Sequence, residues 1–303
     1  MLSFICIADV HFTAKRPQYR TDNWVETQLR KFKFILDQAK KHDAVILCAG
    51  DLLDKSTIKP ELLNNIMFLI QGSGVKILSV PGQHDQSFHN PDMMKSNYGT
   101  LSLSGHIVDI GDSRICTIGA SVYGKGWGDE YPKPDSVDDI NILLAHDTVT
   151  EGTPPPWLTA KTAEQMIEEN HGFDYIVTGD FHEKFVVKHN GCTLINTGPM
   201  LRDSIDKRDF KPACWLINDE GVTEIPIPVE DDVFDMDAVK SAKTVCVDNE
   251  YERMFEDFLN SLGHTGEKPS FEQIVTSAVS SLGSDKQKLK DEIMEVLDYV
   301  KQD

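Results

Sequence analysis

Five short stretches of this chain end an apolar run with side chains that hold metal ions. They are Asp9-Val10-His11, Gly50-Asp51-Leu52-Leu53-Asp54, Gln83-His84-Asp85, His146-Asp147 and Asp180-Phe181-His182. The runs before them, residues 4–8, 45–49, 77–80, 142–145 and 175–178, are rich in Ile, Leu and Val and read as buried parallel strands. Carboxylates and imidazoles hold divalent cations, and an amide adds a neutral oxygen. A side chain at the end of such a strand stands at the sheet edge, where α/β proteins bind ligands. Five strand ends delivering these groups to one rim predict a metal site. Its mixed oxygen and nitrogen donors suit Mn²⁺, Fe or Zn²⁺ better than Mg²⁺.

The elements that must position these residues follow from periodicity. Residues 1–85 read β-α-β-α-β, with strands at 2–8, 45–49 and 75–80 and helices over 24–42 and 60–71. The first helix carries Trp24, Val25, Leu29, Phe32, Ile35, Leu36 and Ala39 at mostly helical spacing. The second starts on Pro60 and stops at Gly72-Ser73-Gly74. Parallel strands joined by helices predict an α/β core, doubly wound or a two-sheet sandwich. Short strands are expected at 107–110, 114–118 and 140–145, a helix over 160–169, a strand at 175–178, and antiparallel strands at 185–189, 193–196, 214–218 and 222–226. Residues 123–139, rich in Gly, Pro and Asp, predict a surface loop.

With 303 residues the chain can hold one large core and an appendage. A composition of 40% hydrophobic and 26% charged residues is that of a soluble globular protein. No apolar run is long enough to span a membrane, and no basic leader precedes the first strand. The six cysteines form no CxxC pair, and Cys6, Cys48 and Cys116 sit in apolar runs as buried thiols, so a reducing cytoplasm is expected. A net charge of −19 excludes nucleic-acid binding through the overall field. Composition divides the chain into residues 1–228 and an acidic remainder, 229–303, which holds 18 acids and 8 bases. That remainder has helical patterns over 250–262, 270–282 and 285–302, as a cap or a docking module for a partner.

Taken in order, the five stretches resemble the DxH, GDxxD, GNH[DE], H and GHxH motifs of the calcineurin-like metallophosphoesterases. The resemblance spans residues 9–182 and implies a two-sheet β-sandwich flanked by helices, reaching to about residue 228. It implies two divalent ions that generate a nucleophile near neutral pH and offset phosphoryl charge. By the resemblance Asp9, His11 and His182 hold one ion with Asp51. Asp51, Gln83, His146 and Asp180 hold the other. His84 is the implied catalytic residue outside the ligand set, oriented by Asp54, with Asp85 as the other candidate. Two positions depart from the pattern: Gln83 stands for the asparagine of the third motif and Asp180 for the first histidine of the fifth. Both can still donate oxygen, and the added negative charge favours a harder ion such as Mn²⁺ or Mg²⁺. The open alternative is an impaired second site, giving a weakly active or non-catalytic scaffold. The remaining histidines read as solvated, save His89, which is close enough in sequence to line the site.

Two basic patches bear on the substrate. Lys15, Arg16 and Arg20 follow the first motif, and Arg202 with Lys207, Arg208 and Lys211 follows the fifth. Both could bind backbone phosphates. The arrangement is similar to the nuclease subunit of SbcCD-type DNA repair complexes, especially phage-encoded forms. That similarity implies Mn²⁺-dependent exo- and endonuclease activity on DNA and an SbcC-like coiled-coil ATPase bound through the C-terminal helices. It also implies a homodimer, for which the helix 60–71 and the segment 92–103 are candidates. The rival enzyme reading is a small-molecule or nucleotide phosphodiesterase or phosphatase.

Overall fold

The computed structural model describes residues 3–247, apart from 89, 91, 118, 136–139, 156, 157 and 232. The helices expected at 250–262, 270–282 and 285–302 lie outside the described residues, as does His89. The chain divides into two compact units, Met1–Val239 and Lys240–Asp303, so the first runs past the boundary expected at 228.

The chain first lays down four parallel neighbours, β1 (Ser3–Ile7), β2 (Ala44–Cys48), β3 (Ile77–Ser79) and β4 (Val108–Asp109). It then builds a second sheet from β5 (Arg114–Thr117), β6 (Ala120–Lys125) and β7 (Ile140–His146). The short pair β8 (Val149–Thr150) and β9 (Lys161–Thr162) interrupts. The second sheet is completed by β10 (Tyr175–Gly179), β11 (Phe185–His189) and β12 (Cys192–Asn196). Finally β13 (Ala213–Asn218) and β14 (Gly221–Pro226) return to the first sheet beside β1. The orders are β14-β13-β1-β2-β3-β4 and β11-β12-β10-β7-β6-β5. Both sheets are mixed, parallel at the centre and antiparallel at one or both ends, which is the expected two-sheet architecture.

Alternation along the strands explains the layers. In β1 and just beyond it, Phe4, Cys6 and Ala8 join Leu47, Ile142, Leu144 and Val177 in the core between the sheets. Ile5 and Ile7 point the other way, into a cluster with Phe32, Ile35, Ile66 and Ile70. Those residues come from α1 (Trp24–Lys41) and α2 (Pro60–Ser73). The Asn23 side chain caps α1 by accepting from the Glu26 N–H, and left-handed Gly74 (φ 68°) closes α2. Ile66 and Ile70, in the helix offered above as a dimer candidate, are therefore core residues. The segment 92–103 includes α3 (Asn97–Leu103). On the far side, Leu143, Ile176 and Leu194 meet Met166 and Ile167 of α4 (Ala163–Glu169), which starts with a Thr162–Gln165 capping box. The described chain ends in α5 (Met236–Val247).

Two expectations are corrected. Residues 123–125 are not loop: they finish β6, which is buried along its whole length between β5 and β7. Gly124 and Lys125 are weak strand formers, and pairing on both sides overrides their preference. Cys6 and Cys48 are buried, but Cys116 is exposed because β5 is an edge strand.

Candidate active site

The C-terminal ends of β1, β2, β3, β7 and β10 meet at one rim, three from one sheet and two from the other. Asp9 and His11 follow β1, Asp51 follows β2, Gln83 and His84 follow β3, His146 closes β7, and Asp180 and His182 follow β10. The sheets are tied together here by site residues. His146 Nδ1 donates to the Ala49 carbonyl (2.7 Å), and the Asp180 N–H donates to both Asp9 oxygens (3.1 Å each).

The donor atoms fall into two groups around Asp51 Oδ2. In the first, His11 Nε2 lies 3.4 Å from His182 Nε2, 3.9 Å from Asp9 Oδ1 and 3.8 Å from Asp51 Oδ2. In the second, His146 Nε2 lies 2.7 Å from Gln83 Oε1, 3.5 Å from Asp51 Oδ2 and 3.8 Å from Asp180 Oδ1. Separations of about 3–4 Å are those of atoms sharing an ion at about 2.1 Å. The seven residues expected as metal ligands thus lie together at the rim. Gln83 and Asp180, the two departures, touch one another: Gln83 Nε2 donates to Asp180 Oδ1 (2.6 Å).

The backbone bends hard to present these side chains. Asp9 (φ 50°), His11 (φ 48°), Asp51 (φ 50°) and Asp180 (φ 81°) are all left-handed, a strain that clusters at functional sites. Close approach also fixes two glycines. A Cβ on Gly50 would stand 2.3 Å from His146 Nδ1, and one on Gly82 would stand 2.1 Å from Asp51 Oδ1. Asp85 is wholly buried and accepts N–H bonds from Gly82 (2.9 Å), Leu53 (2.9 Å) and Leu52 (3.3 Å). It therefore pins the β2 and β3 loops together instead of pairing with His84.

Charge inside the rim is unbalanced. Among the described residues, every ion-pair partner of Asp9 and Asp51 is a histidine, although both carboxylates are buried. Burial pushes Asp9 up to about 7, with Asp51 adding to it against the pull of His146. Burial, reinforced by Asp51, pushes Asp85 up to about 7. Burial drives His11 down to about 4. Burial also opposes charge on His146, yet its pairing with Asp51, helped by Asp9, raises it to about 9. Burial works on Asp51 in the opposite sense to its histidines, which win and hold it below the usual carboxylate range. Such a donor set suits divalent cations, which would offset the buried carboxylates.

His84 sits at the open side, its side chain 44% exposed. Its Nδ1 donates to the Asp54 backbone carbonyl (2.9 Å), leaving Nε2 3.9 Å from Asp51 Oδ2. Asp54 meets His84 through its backbone carbonyl rather than through the carboxylate expected to orient it; that carboxylate lies near His11 and His84 as a further donor.

The basic residues separate. Lys15 and Arg16 are exposed and line a cleft of about 600 Å³ that opens from Asp9 and His11 past Asp54 and Lys55. Arg20 and Arg202, expected to bind substrate, are buried and occupied elsewhere. Arg20 pairs with Asp22 (2.7 Å), donates to the Arg202 carbonyl (2.9 Å) and lies over the rings of Trp24 and Phe234. Arg202 donates to the carbonyls of Arg208 (2.8 Å) and Glu230. Lys207 does reach the site, with Nζ 2.7 Å from His182 Nδ1 and 3.1 Å from Asp203 Oδ1.

Three residues of the site carry no sequence signal of their own. Asp203 holds Lys207, Asn196 Nδ2 donates to the Phe181 (2.6 Å) and Glu183 (2.5 Å) carbonyls and so holds the His182 loop, and Thr148 donates from Oγ1 to Asp180 Oδ2. For Thr148 the only hint was its place two residues after His146.

The family model for the calcineurin-like phosphoesterases matches residues 2–184, a span holding all seven expected metal ligands. No curated protein matches the sequence significantly. Among solved structures, a Thermus thermophilus protein, TT1561, is similar with a TM-score of 0.48 and 9% identity, over 75% of this chain and 99% of that one. An archaeal phosphodiesterase is similar with a TM-score of 0.43 and 10% identity, over 74% of this chain and 99% of that one.

Proposed function

The chain belongs to the calcineurin-like phosphoesterases, and from that premise we propose that it is a metal-dependent nuclease that hydrolyses DNA phosphodiesters. Metallophosphoesterase chemistry comes with the family. Asp9, His11 and His182 would hold one ion, Gln83, His146 and Asp180 the other, and Asp51 both. Such ions supply a nucleophile from water near neutral pH and offset charge on the phosphoryl oxygens. Mn²⁺ is the proposed ion, because Asp180 adds an anionic oxygen where the family pattern has imidazole.

The chain's own groups do the rest. Asp51 Oδ2 faces both ligand groups and so holds them in register. The Asp54 carbonyl accepts from His84 Nδ1 and turns Nε2 toward the site, where the imidazolium form donates to a phosphoryl oxygen or gives its Nε2 proton to the leaving oxygen. Lys207 sits behind His182.

The observation that carries a polymeric substrate is the cleft beside Asp9 and His11, lined by Lys15, Arg16 and Lys55. Cations placed beside the reacting phosphate suit a substrate with further phosphates along it. The net charge of −19 favours the second reading, a small nucleotide diester. The proposal extends to an SbcC-like ATPase bound through residues 229–303, on the strength of the sequence resemblance.

Cleavage of linear single- and double-stranded DNA with Mn²⁺, Mg²⁺ or Zn²⁺ tests the reading, with His84→Ala as control. Mn²⁺-dependent cleavage lost in the control is the expected result. Hydrolysis of bis-p-nitrophenyl phosphate without DNA cleavage would replace it with the nucleotide phosphodiesterase.

A further inference from the structure

Asp180 is held at both ends of its carboxylate. Oδ1 accepts from Gln83 Nε2 at 2.6 Å, and Oδ2 accepts from Thr148 Oγ1. Two donors on two oxygens fix the rotation of the group, which a single donor would leave free. The Gln83 amide is fixed in turn. Its oxygen lies 2.7 Å from His146 Nε2 while its nitrogen faces Asp180, and a flipped amide would put its oxygen against the carboxylate. The backbone of Asp180 is left-handed at φ 81°, with its N–H on Asp9, so the side chain leaves the strand end from a fixed point. Thr148 stands in the turn between β7, which ends on His146, and β8. One short segment thus provides both a ligand of the second group and the hydroxyl that aims another.

We propose that Thr148 is a positioning residue for the second ion, acting through Asp180 as one arm of a clamp whose other arm is Gln83. The inference rests on the two-ion reading of the site. The clamp explains how an aspartate serves where the family pattern has histidine. Asp180 is short and rotates freely, and two donors give it the definite direction that a ring has by its shape. It also explains the longer amide at position 83. Asparagine, shorter by one C–C bond of about 1.5 Å, would leave Asp180 Oδ1 out of reach. Partners of this kind orient metal ligands, and losing one costs about 10–100-fold in metal affinity.

The test is calorimetric titration of Mn²⁺ into the full-length protein freed of metal, for the wild type, Thr148→Val, Thr148→Ser, Asp180→Ala and Thr148→Val/Asp180→Ala. The unfolding midpoint of each variant is read alongside, so that lost binding is not mistaken for lost fold. The wild type is expected to bind two ions. Thr148→Val should weaken one of them by about tenfold or more and leave the other unchanged, while Thr148→Ser binds like wild type. In the Asp180→Ala background, Thr148→Val should change the remaining affinities by less than about twofold, because its only route of action is gone. Wild-type affinities in Thr148→Val, or a loss of equal size with and without Asp180, would overturn the clamp. Fewer than two ions on the wild type would instead overturn the two-ion reading from which it starts.

Discussion

A proton on His146 competes with a metal ion for the Nε2 lone pair. His146 Nδ1 is committed to the Ala49 carbonyl, so Nε2 is the only nitrogen left for an ion. In the metal-free protein Asp51 and Asp9 raise this histidine to about 9 against its burial. A raised histidine stabilises the fold below its unfolded value near 6.5 and loses that contribution as the pH climbs through about 9. Ion binding has the opposite dependence, since it releases the proton. Mn²⁺ affinity of the second site is therefore expected to rise by up to about tenfold per pH unit from 7 to 9, read by calorimetry in buffers of different ionisation enthalpy. Beside it, His84→Ala is expected to lower turnover of a phosphodiester by about 10²–10⁴-fold with the number of bound ions unchanged. Asp54→Asn keeps the carbonyl that orients His84, so its loss should be about tenfold or less, against about 10⁴ where a carboxylate itself sets the tautomer. The ligand types and their order were legible in the sequence because each occupies a strand end. Which atom of Asp54 would face His84 was not, since backbone and side chain of one residue leave the same trace.

At the scale of elements, strand ends were readable where apolar runs stop at Gly-Asp or at a histidine. Strand β6 was not, because Gly124 and Lys125 lack strand preference and their burial comes from β5 and β7 on either side. The basic loop after β1 shows the same limit. Lys15 and Arg16 border the cleft, yet Arg20, four residues on, turns inward to Asp22 and lies between Trp24 and Phe234. Charge in a sequence does not say which side of the surface it will occupy. Arg20→Ala would leave Asp22 without its cation and loosen the segment around Phe234. It is expected to destabilise the fold by about 3 kcal/mol in thermal or denaturant unfolding, with KM for DNA unchanged.

The unit Met1–Val239 contains every proposed metal ligand and His84. Removal of residues 248–303 is therefore expected to leave hydrolysis of bis-p-nitrophenyl phosphate at the full-length rate, measured on purified truncated protein. A large fall would mean that the acidic segment supports the site. The net charge of −19 gives the molecule no general attraction for nucleic acid, so ions and the few cations of the cleft must bring a phosphate to the rim. That makes metal occupancy the condition for everything else proposed. The most direct measurement is stepwise addition of Mn²⁺ to metal-free protein while the initial rate of bis-p-nitrophenyl phosphate hydrolysis is followed. Two groups sharing Asp51 predict little rate after the first equivalent and a steep rise as the second binds. A full rate after one equivalent, or a rate that persists under chelation, would contradict a two-ion phosphoesterase.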